Sequence, residues 1–310
     1  MMEMDMEEQT RKETAVFLKR RMLQEDLKGE SLWIKAWSRF RRHRLAMFGL
    51  IVMAILIFLA VFAPLLSPYS PFKLNLPDRA SPPTLKHWLG TDGTGRDTWA
   101  RVLLGGRVSL SVGLVAVSIS SAIGVVLGGL SGYFGGKIDM VIMRITDTVM
   151  CFPTLIIIIT LVAVVGPSIY NSMLVIGLLS WPGTGRIVRG QFLYLREQQF
   201  VEAAKCLGIT PFRIIFAHIL PSAIGPVVVA ATFGMASAIL MEAGLSFLGL
   251  GVQPPTPSWG NMLRDAQTLT ILETMPWMWV PPGVMIIISV LSINFIGDGL
   301  RDALDPRQIL

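Results

Sequence analysis

Five stretches of this 310-residue chain run for 24 positions or more without Asp, Glu, Lys or Arg: Leu45 to Phe72, Val108 to Gly136, Thr148 to Gly185, Ile214 to Met241 and Thr274 to Gly297. A helix needs roughly 20 apolar residues to cross a hydrocarbon core about 30 Å thick. The third stretch, 38 residues broken by Gly166-Pro167-Ser168, is too long for one crossing and suits two joined by a tight turn. The expectation is an all-α polytopic membrane protein with six transmembrane helices. Only 15% of the residues are charged, against about 25% in soluble chains, which excludes an ordinary soluble enzyme. Two cysteines are too few for a disulfide-stapled secreted domain.

Charge placement divides the chain. Residues 1–30 hold eight acidic and six basic side chains and form a charged cytoplasmic tail, while the other 280 residues hold 21 basic and 13 acidic. The +6 net charge thus belongs to the apolar body, where basic residues flank the spans and report orientation rather than nucleic acid. Residues 31–44 read either as an interfacial amphipathic helix, with Trp33, Ile34, Trp37 and Phe40 on one face and Lys35, Arg39 and Arg42 off it, or as a plain basic flank that sets the orientation of the first span. The divisions that follow are a first span at 45–66, an extracytoplasmic segment at 67–104, a five-helix core at 105–298 and a tail at 299–310. Residues 243–263 carry no charge either, yet their Gly and Pro content forbids a lipid-exposed helix. They read as a re-entrant or extracytoplasmic loop.

Lys35, Arg39, Arg41, Arg42 and Arg44 before the first span place the amino terminus inside. Six crossings return the carboxyl terminus to the same side, with Arg301 and Arg307. Arg186, Arg189, Arg196, Lys205 and Arg213 fall in an inner loop between spans four and five. Glu242, Asp265 and Glu273 outnumber Arg264 in an outer one. One segment runs against the rule: residues 73–101 carry Lys73, Arg79, Lys86, Arg96 and Arg101 on the outer side.

Catalytic and metal chemistry finds no support. Ser131 to Lys137 resembles a phosphate loop, but Ser131 stands where the first glycine belongs and Ile138 follows the lysine; a Gly-rich turn between spans fits better. His43, His87 and His218 are scattered, Cys151 and Cys206 are far apart, and no spacing suits zinc. In the outer segment, Asp92, Arg96 and Asp97 sit in a turn-rich cluster without an EF-hand pattern. Asp139, Arg144 and Asp147, at the start of span three, suit either an interfacial ion pair between Arg144 and Asp147 or contacts along a translocation path.

The loop at 194–213 is more pointed. Gln, Glu, Ala, Lys and Leu favour helix, Gly208 suits the position just past a helix end, Thr210 can cap the next helix and Pro211 can open it. Ala203 and Ala204 leave room for a close partner, and Glu202 offers an anchor for a basic group. Pro221 and Pro226 predict kinks early in span five.

Glu202-Ala203-Ala204, Gly208 and Ile219-Leu220-Pro221 resemble the EAA loop of bacterial ABC importer permeases. The stretches 39–50, 87–97, 107–114, 132–136, 245–263 and 297–307 are similar to the second permease subunit of the dipeptide/oligopeptide (peptide/nickel) family. That resemblance implies the ABC importer type I permease fold in a bacterial cytoplasmic membrane, both termini cytoplasmic. It implies a second permease subunit, two ATPase subunits that bind the ATP and Mg²⁺, and an extracytoplasmic substrate-binding protein. This chain itself would hold no cofactor and catalyse nothing. Glu202, Ala203, Ala204, Lys205, Gly208 and Pro211 would form the ATPase-coupling site. Nickel-importing relatives share the motifs, so peptide is the first expectation for the substrate and nickel or another small solute the second. An ion-coupled carrier is the rival class; it is disfavoured by the lack of repeated halves and of charge within the spans.

Overall fold

The computed structural model describes residues 32–304; the charged tail 1–30, Ser31 and residues 305–310, with Arg307, lie outside the described residues. Ten helices carry the architecture: α1 (Leu32–Arg42), α2 (Arg44–Val61), α3 (Thr98–Phe134), α4 (Gly136–Met150), α5 (Thr154–Val165), α6 (Ile169–Leu195), α7 (Gln199–Cys206), α8 (Pro211–Phe247), α9 (Trp259–Leu263) and α10 (Pro276–Leu304). Among the described residues the only extended pairing is one bridge between Thr91 and Asp97.

Four helices, α2, α3, α8 and α10, are long and apolar enough to cross a membrane, and α4 with α5 make a fifth candidate if that bent pair is one span. The expected count of six is reached only by adding α6. Its 27 residues are long enough, but Gly, Pro182 and two arginines dilute its apolar character. The third span differs most from expectation. At Cys151-Phe152-Pro153 the chain turns by 83° between α4 and α5, because proline disfavours helical backbone in the residue before it. Helix α5 alone, 12 residues or about 18 Å, is short for a full crossing.

Other helices overrun their expected ends. Helix α3 begins at Thr98 inside the segment expected to lie outside the core, because the Asp97 side chain accepts from the Ala100 N–H and caps it. Helix α8 runs to Phe247, so Glu242 is helical rather than in a loop, and Arg186 and Arg189 lie within α6. Helix α10 continues to Leu304 through residues expected to begin a tail. Within α8 a π-turn spans Ile214–Ile219, and the Leu220 N–H donates to the carbonyl of Ile215, five residues back. Pro221, next in sequence, has no N–H to continue the ordinary ladder.

Helices α3 and α6 form the closest seam of the bundle. Gly124, Gly128 and Gly132, one helical turn apart on α3, lie against Thr184, Gly185, Val188, Arg189 and Phe192. A Cβ at Gly132 would stand 2.6 Å from the Phe192 Cβ and 2.7 Å from the Arg189 carbonyl oxygen. Small residues at this spacing let helix backbones touch where lipid supplies no hydrophobic drive between them. Gly132→Leu is therefore expected to separate α3 from α6, at about 1–3 kcal/mol. Thermal unfolding in detergent should shift downward, whereas Gly183→Leu, at a glycine with open space around it, should leave the transition in place.

Candidate functional site: a short helix at one end of the bundle and two buried polar clusters

Helix α7 is held by one face and open on the other. Val201 and Ala204, three residues apart, are buried against Val188, Phe192 and Leu195 of α6 and Ile214, Ile215, Ile219, Ala223 and Val227 of α8. Glu202, Ala203, Lys205, Gly208 and Pro211 are exposed. Ala204 therefore does not make room for a partner, as the sequence suggested; it packs into its own bundle, because a helix three residues on returns to the same face. Among the described residues Glu202 forms no ion pair.

The helix stops sharply. Gly208 has φ +73°, its N–H donates to the Lys205 carbonyl at 2.9 Å, and the Ile209 N–H donates to the Ala204 carbonyl at 3.1 Å. These two bonds form a Schellman motif. Thr210 occupies the next N-cap in extended backbone and Pro211 the first helical position, though the Thr210 side chain makes no cap bond. Helix, left-handed glycine and proline-led helix thus form one stiff corner between α6 and α8. Phe200, Leu207, Phe212 and Phe216 are exposed on it.

The ion pairs of α4 differ from expectation. Arg144 is exposed and forms no pair with Asp147 among the described residues; Asp147 instead meets Arg186 of α6 at 2.6 Å. Arg189 grips Asp139 with two bonds, Nε to Oδ1 at 2.6 Å and Nη2 to Oδ2 at 2.7 Å, and the Ser131 hydroxyl also donates to Asp139. Both acids of α4 are thereby tied to the cations that the sequence reading had placed in a loop.

In the segment between α2 and α3, Asp92 is buried. Its Oδ1 accepts from Thr94 N–H at 2.8 Å, Thr94 hydroxyl at 2.7 Å and Arg96 N–H at 3.0 Å, and its Oδ2 meets Arg96 Nε at 2.7 Å and Arg101 Nε at 3.4 Å. Burial pushes its carboxyl up, but the Thr94 and Arg96 hydrogen bonds and the Arg101 charge together hold it below the usual carboxylate value. Asp97 accepts from Ala100 N–H at 2.8 Å and lies 2.8 Å from His87 Nδ1. Lys86 pairs with Asp78 at 2.8 Å. Three of the five cations of residues 73–101, Lys86, Arg96 and Arg101, therefore lie against acids of their own segment, the two arginines sharing Asp92.

Sequence reasoning missed Glu242. Fully buried on α8, it accepts from Ser109 of α3 at 2.9 Å and from Ser246 at 2.6 Å. Ser109 Oγ in turn accepts from Trp259 N–H at 3.2 Å, and Ser246 Oγ from Val252 N–H at 3.0 Å. One carboxyl thereby fastens α3 and the Gly/Pro-rich loop to α8. A single acid followed by serine four residues on, inside a long apolar helix, was the available signal.

This bundle matches a solved one. A chain of the MetNI methionine ABC transporter, in inward-facing conformations, aligns with a TM-score of 0.54 at 20% identity, over 66% of this chain and 96% of that one. The fold is thus the ABC importer type I permease fold. The model of the binding-protein-dependent transport system inner membrane component family matches residues 124–310. The N-terminal TM domain of oligopeptide transport permease C matches residues 31–83. The chain belongs to the family of binding-protein-dependent transport system inner membrane components. A dipeptide transport system permease protein of Alkalihalophilus pseudofirmus is 44% identical over 278 residues, 90% of this chain and 91% of that protein. An oligopeptide transport system permease protein of Bacillus subtilis is 41% identical over 280 residues, 90% and 91% respectively.

Two measurements check the buried clusters. Asp92→Asn leaves Arg96 and Arg101 without their carboxylate and is expected to cost about 3 kcal/mol, read as faster tryptic cleavage within residues 73–101. Because the folded value of Asp92 is lowered, its contribution is full above about pH 4 and is lost as pH falls through that folded value. The wild-type segment should therefore approach the cleavage rate of the variant in acid. Glu242→Leu orphans Ser109 and Ser246, about 1–3 kcal/mol each, and is expected to lower the unfolding temperature in detergent; Glu242→Gln, which keeps an acceptor, should lower it less.

Proposed function

We propose that this chain is one of two permease subunits of an ATP-driven importer for dipeptides or oligopeptides, and that α7 is its coupling helix. The observation that carries the proposal is the geometry of α7: a short helix with Glu202, Ala203 and Lys205 presented outward while Val201 and Ala204 are seated on α6 and α8 together. A push on such a helix moves both spans at once, because the buried contacts and the glycine–proline corner leave no slack loop to absorb it. The substrate class follows from the relatives, which are named for dipeptide and oligopeptide transport.

In this reading two ATPase subunits bind ATP and Mg²⁺ and receive α7, and the chain itself catalyses nothing. A second permease completes the path, and an extracytoplasmic binding protein delivers the peptide. The amino and carboxyl termini face the cytoplasm of a bacterial inner membrane. The residues of this chain that meet the ATPases are Glu202, Ala203, Lys205, Gly208 and Pro211, with Ala204 positioning them from within. Asp139, Arg144 and Asp147 border the inner half of the path, two of them held by Arg189 and Arg186.

Glu202→Arg reverses an exposed charge, and Gly208→Val strains a left-handed corner by about 1–2 kcal/mol with nothing within contact of the added Cβ. Both variants are expected to insert normally and to lose most ATP-dependent peptide uptake in vesicles carrying the full complex. Retained uptake in both would remove the coupling role from α7. A cognate binding protein that took metal complexes rather than peptides would overturn the substrate class and leave the coupling intact.

A further inference from the structure

Helix α1 is buried along one stripe, and its exposed surface carries apolar residues with arginines in its last turn, Arg41 following Ile34 and Trp37 on one face. Ala36 and Phe40 are buried against Ala46 of α2 and Ala303 of α10. Ile34 and Trp37 are 60% and 52% exposed among the described residues, and the Trp37 ring stacks on Phe40 with centroids 5.8 Å apart. Arg41 and Arg42 are exposed and Arg39 half-buried, all in the last turn, and no acid pairs with them among the described residues. An exposed tryptophan and isoleucine beside a block of arginines without an acid partner among the described residues match one surface: acyl chains for the apolar pair, anionic headgroups for the guanidinium groups. A soluble partner would not explain why this helix precedes a span with a single residue between them.

That residue is His43. It has extended backbone, its Nδ1 accepts from the Ala46 N–H at 3.1 Å to cap α2, and its Nε2 lies 3.5 Å from Asp302 Oδ2 of α10. Beside it the α2–α10 contact is closed: a Cβ at Gly299 would overlap that of Ala46 and stand 3.2 Å from the Phe40 ring. A change in the seating of α1 therefore reaches the ends of two spans without slack. We propose that α1 is a docking surface for anionic phospholipid of the adjacent leaflet, with Arg39, Arg41 and Arg42 on the headgroups and Ile34 and Trp37 among the acyl chains. Lipid bound there sets the position of α2 and α10 through Phe40 and His43. The proposal rests on the membrane placement of the spans and not on the transported substrate.

The test uses the full chain in its complex, reconstituted in vesicles of phosphatidylcholine containing brominated phosphatidylglycerol or, separately, brominated phosphatidylcholine. Trp37→Phe isolates the Trp37 share of fluorescence quenching. Each arginine near an anionic surface is worth about fivefold in lipid preference. The expected result is quenching of that share by the brominated phosphatidylglycerol at a mole fraction at least about fivefold lower than by the brominated phosphatidylcholine. Arg39→Gln with Arg41→Gln and Arg42→Gln should erase the difference while leaving the unfolding temperature in detergent unchanged. Equal quenching by the two lipids in the wild type overturns the proposal. So does a preference that survives the triple substitution. ATP-dependent uptake is read in the same vesicles: a rise with phosphatidylglycerol in the wild type but not in the triple variant supports transmission through His43, and equal responses overturn that part. A complex inactive toward every peptide would count against the substrate reading and leave the quenching result standing.

Discussion

Hydrocarbon offers no partner to a free backbone N–H or to a lone charge, and the architecture of this chain follows from that. The long helices satisfy their own backbones. Where the chain breaks in the Gly/Pro-rich stretch after Phe247, freed backbone groups are answered by protein side chains. Ser246 Oγ takes the Val252 N–H, and Asn261 Nδ2 donates to the carbonyls of Val252 and Thr256. Charges obey the same rule. Asp139 and Asp147 are each matched to an arginine one helix away, and Glu242 is surrounded by hydroxyl donors rather than lipid.

This constraint explains what could be read in the residues and what could not. Five of the charge-free runs coincide with long helices, because a charge is costly in the hydrocarbon core; the run at 243–263 leaves the helix after Phe247, where Gly and Pro accumulate. Gly208 marks a helix end, because a left-handed corner with two closing hydrogen bonds is a local event encoded by neighbouring residues. The division of the third run was harder. Gly166 and Pro153 are both breakers, and only the packing of α4 against α6 shows that the proline bends the path by 83° while the glycine ends α5. Arg186 and Arg189 looked like loop residues because a helix dense in cations is unusual within a membrane; their acids lie 39 and 50 positions away in sequence. Ala204 looked like a companion of Ala203 because adjacency in sequence says nothing of facing.

The two ends of the bundle are built on different chemistry. The segment between α2 and α3 is fixed by buried charge: Asp92 with two arginines, and Asp97 shared between a helix cap and His87. Such a platform holds its shape without a large apolar core. The α7 end is fixed by apolar packing around Val201, Ala204 and Phe192, with polar groups left outside. The first arrangement suits a surface in water that must stay folded beside the membrane. The second ties α7 to α6 and α8 as one body, since close-packed side chains transmit strain better than hydrated charges do.

The π-turn in α8 lies where these demands meet. Ile214, Ile215 and Ile219 of that turn are buried in the core that seats α7, yet the turn's hydrogen-bond ladder is wider than that of the helix on either side. A displaced α7 would therefore press on a firm apolar contact and on a locally weaker backbone together. Pro221 and Pro226 follow within two turns and keep the ladder from closing above it. The part of α8 before the π-turn is thus less firmly tied to the part after it, which Glu242 fastens to α3 and the Gly/Pro-rich loop. A helix anchored at one end, seated on α7 at the other and softened between them can tilt without unfolding.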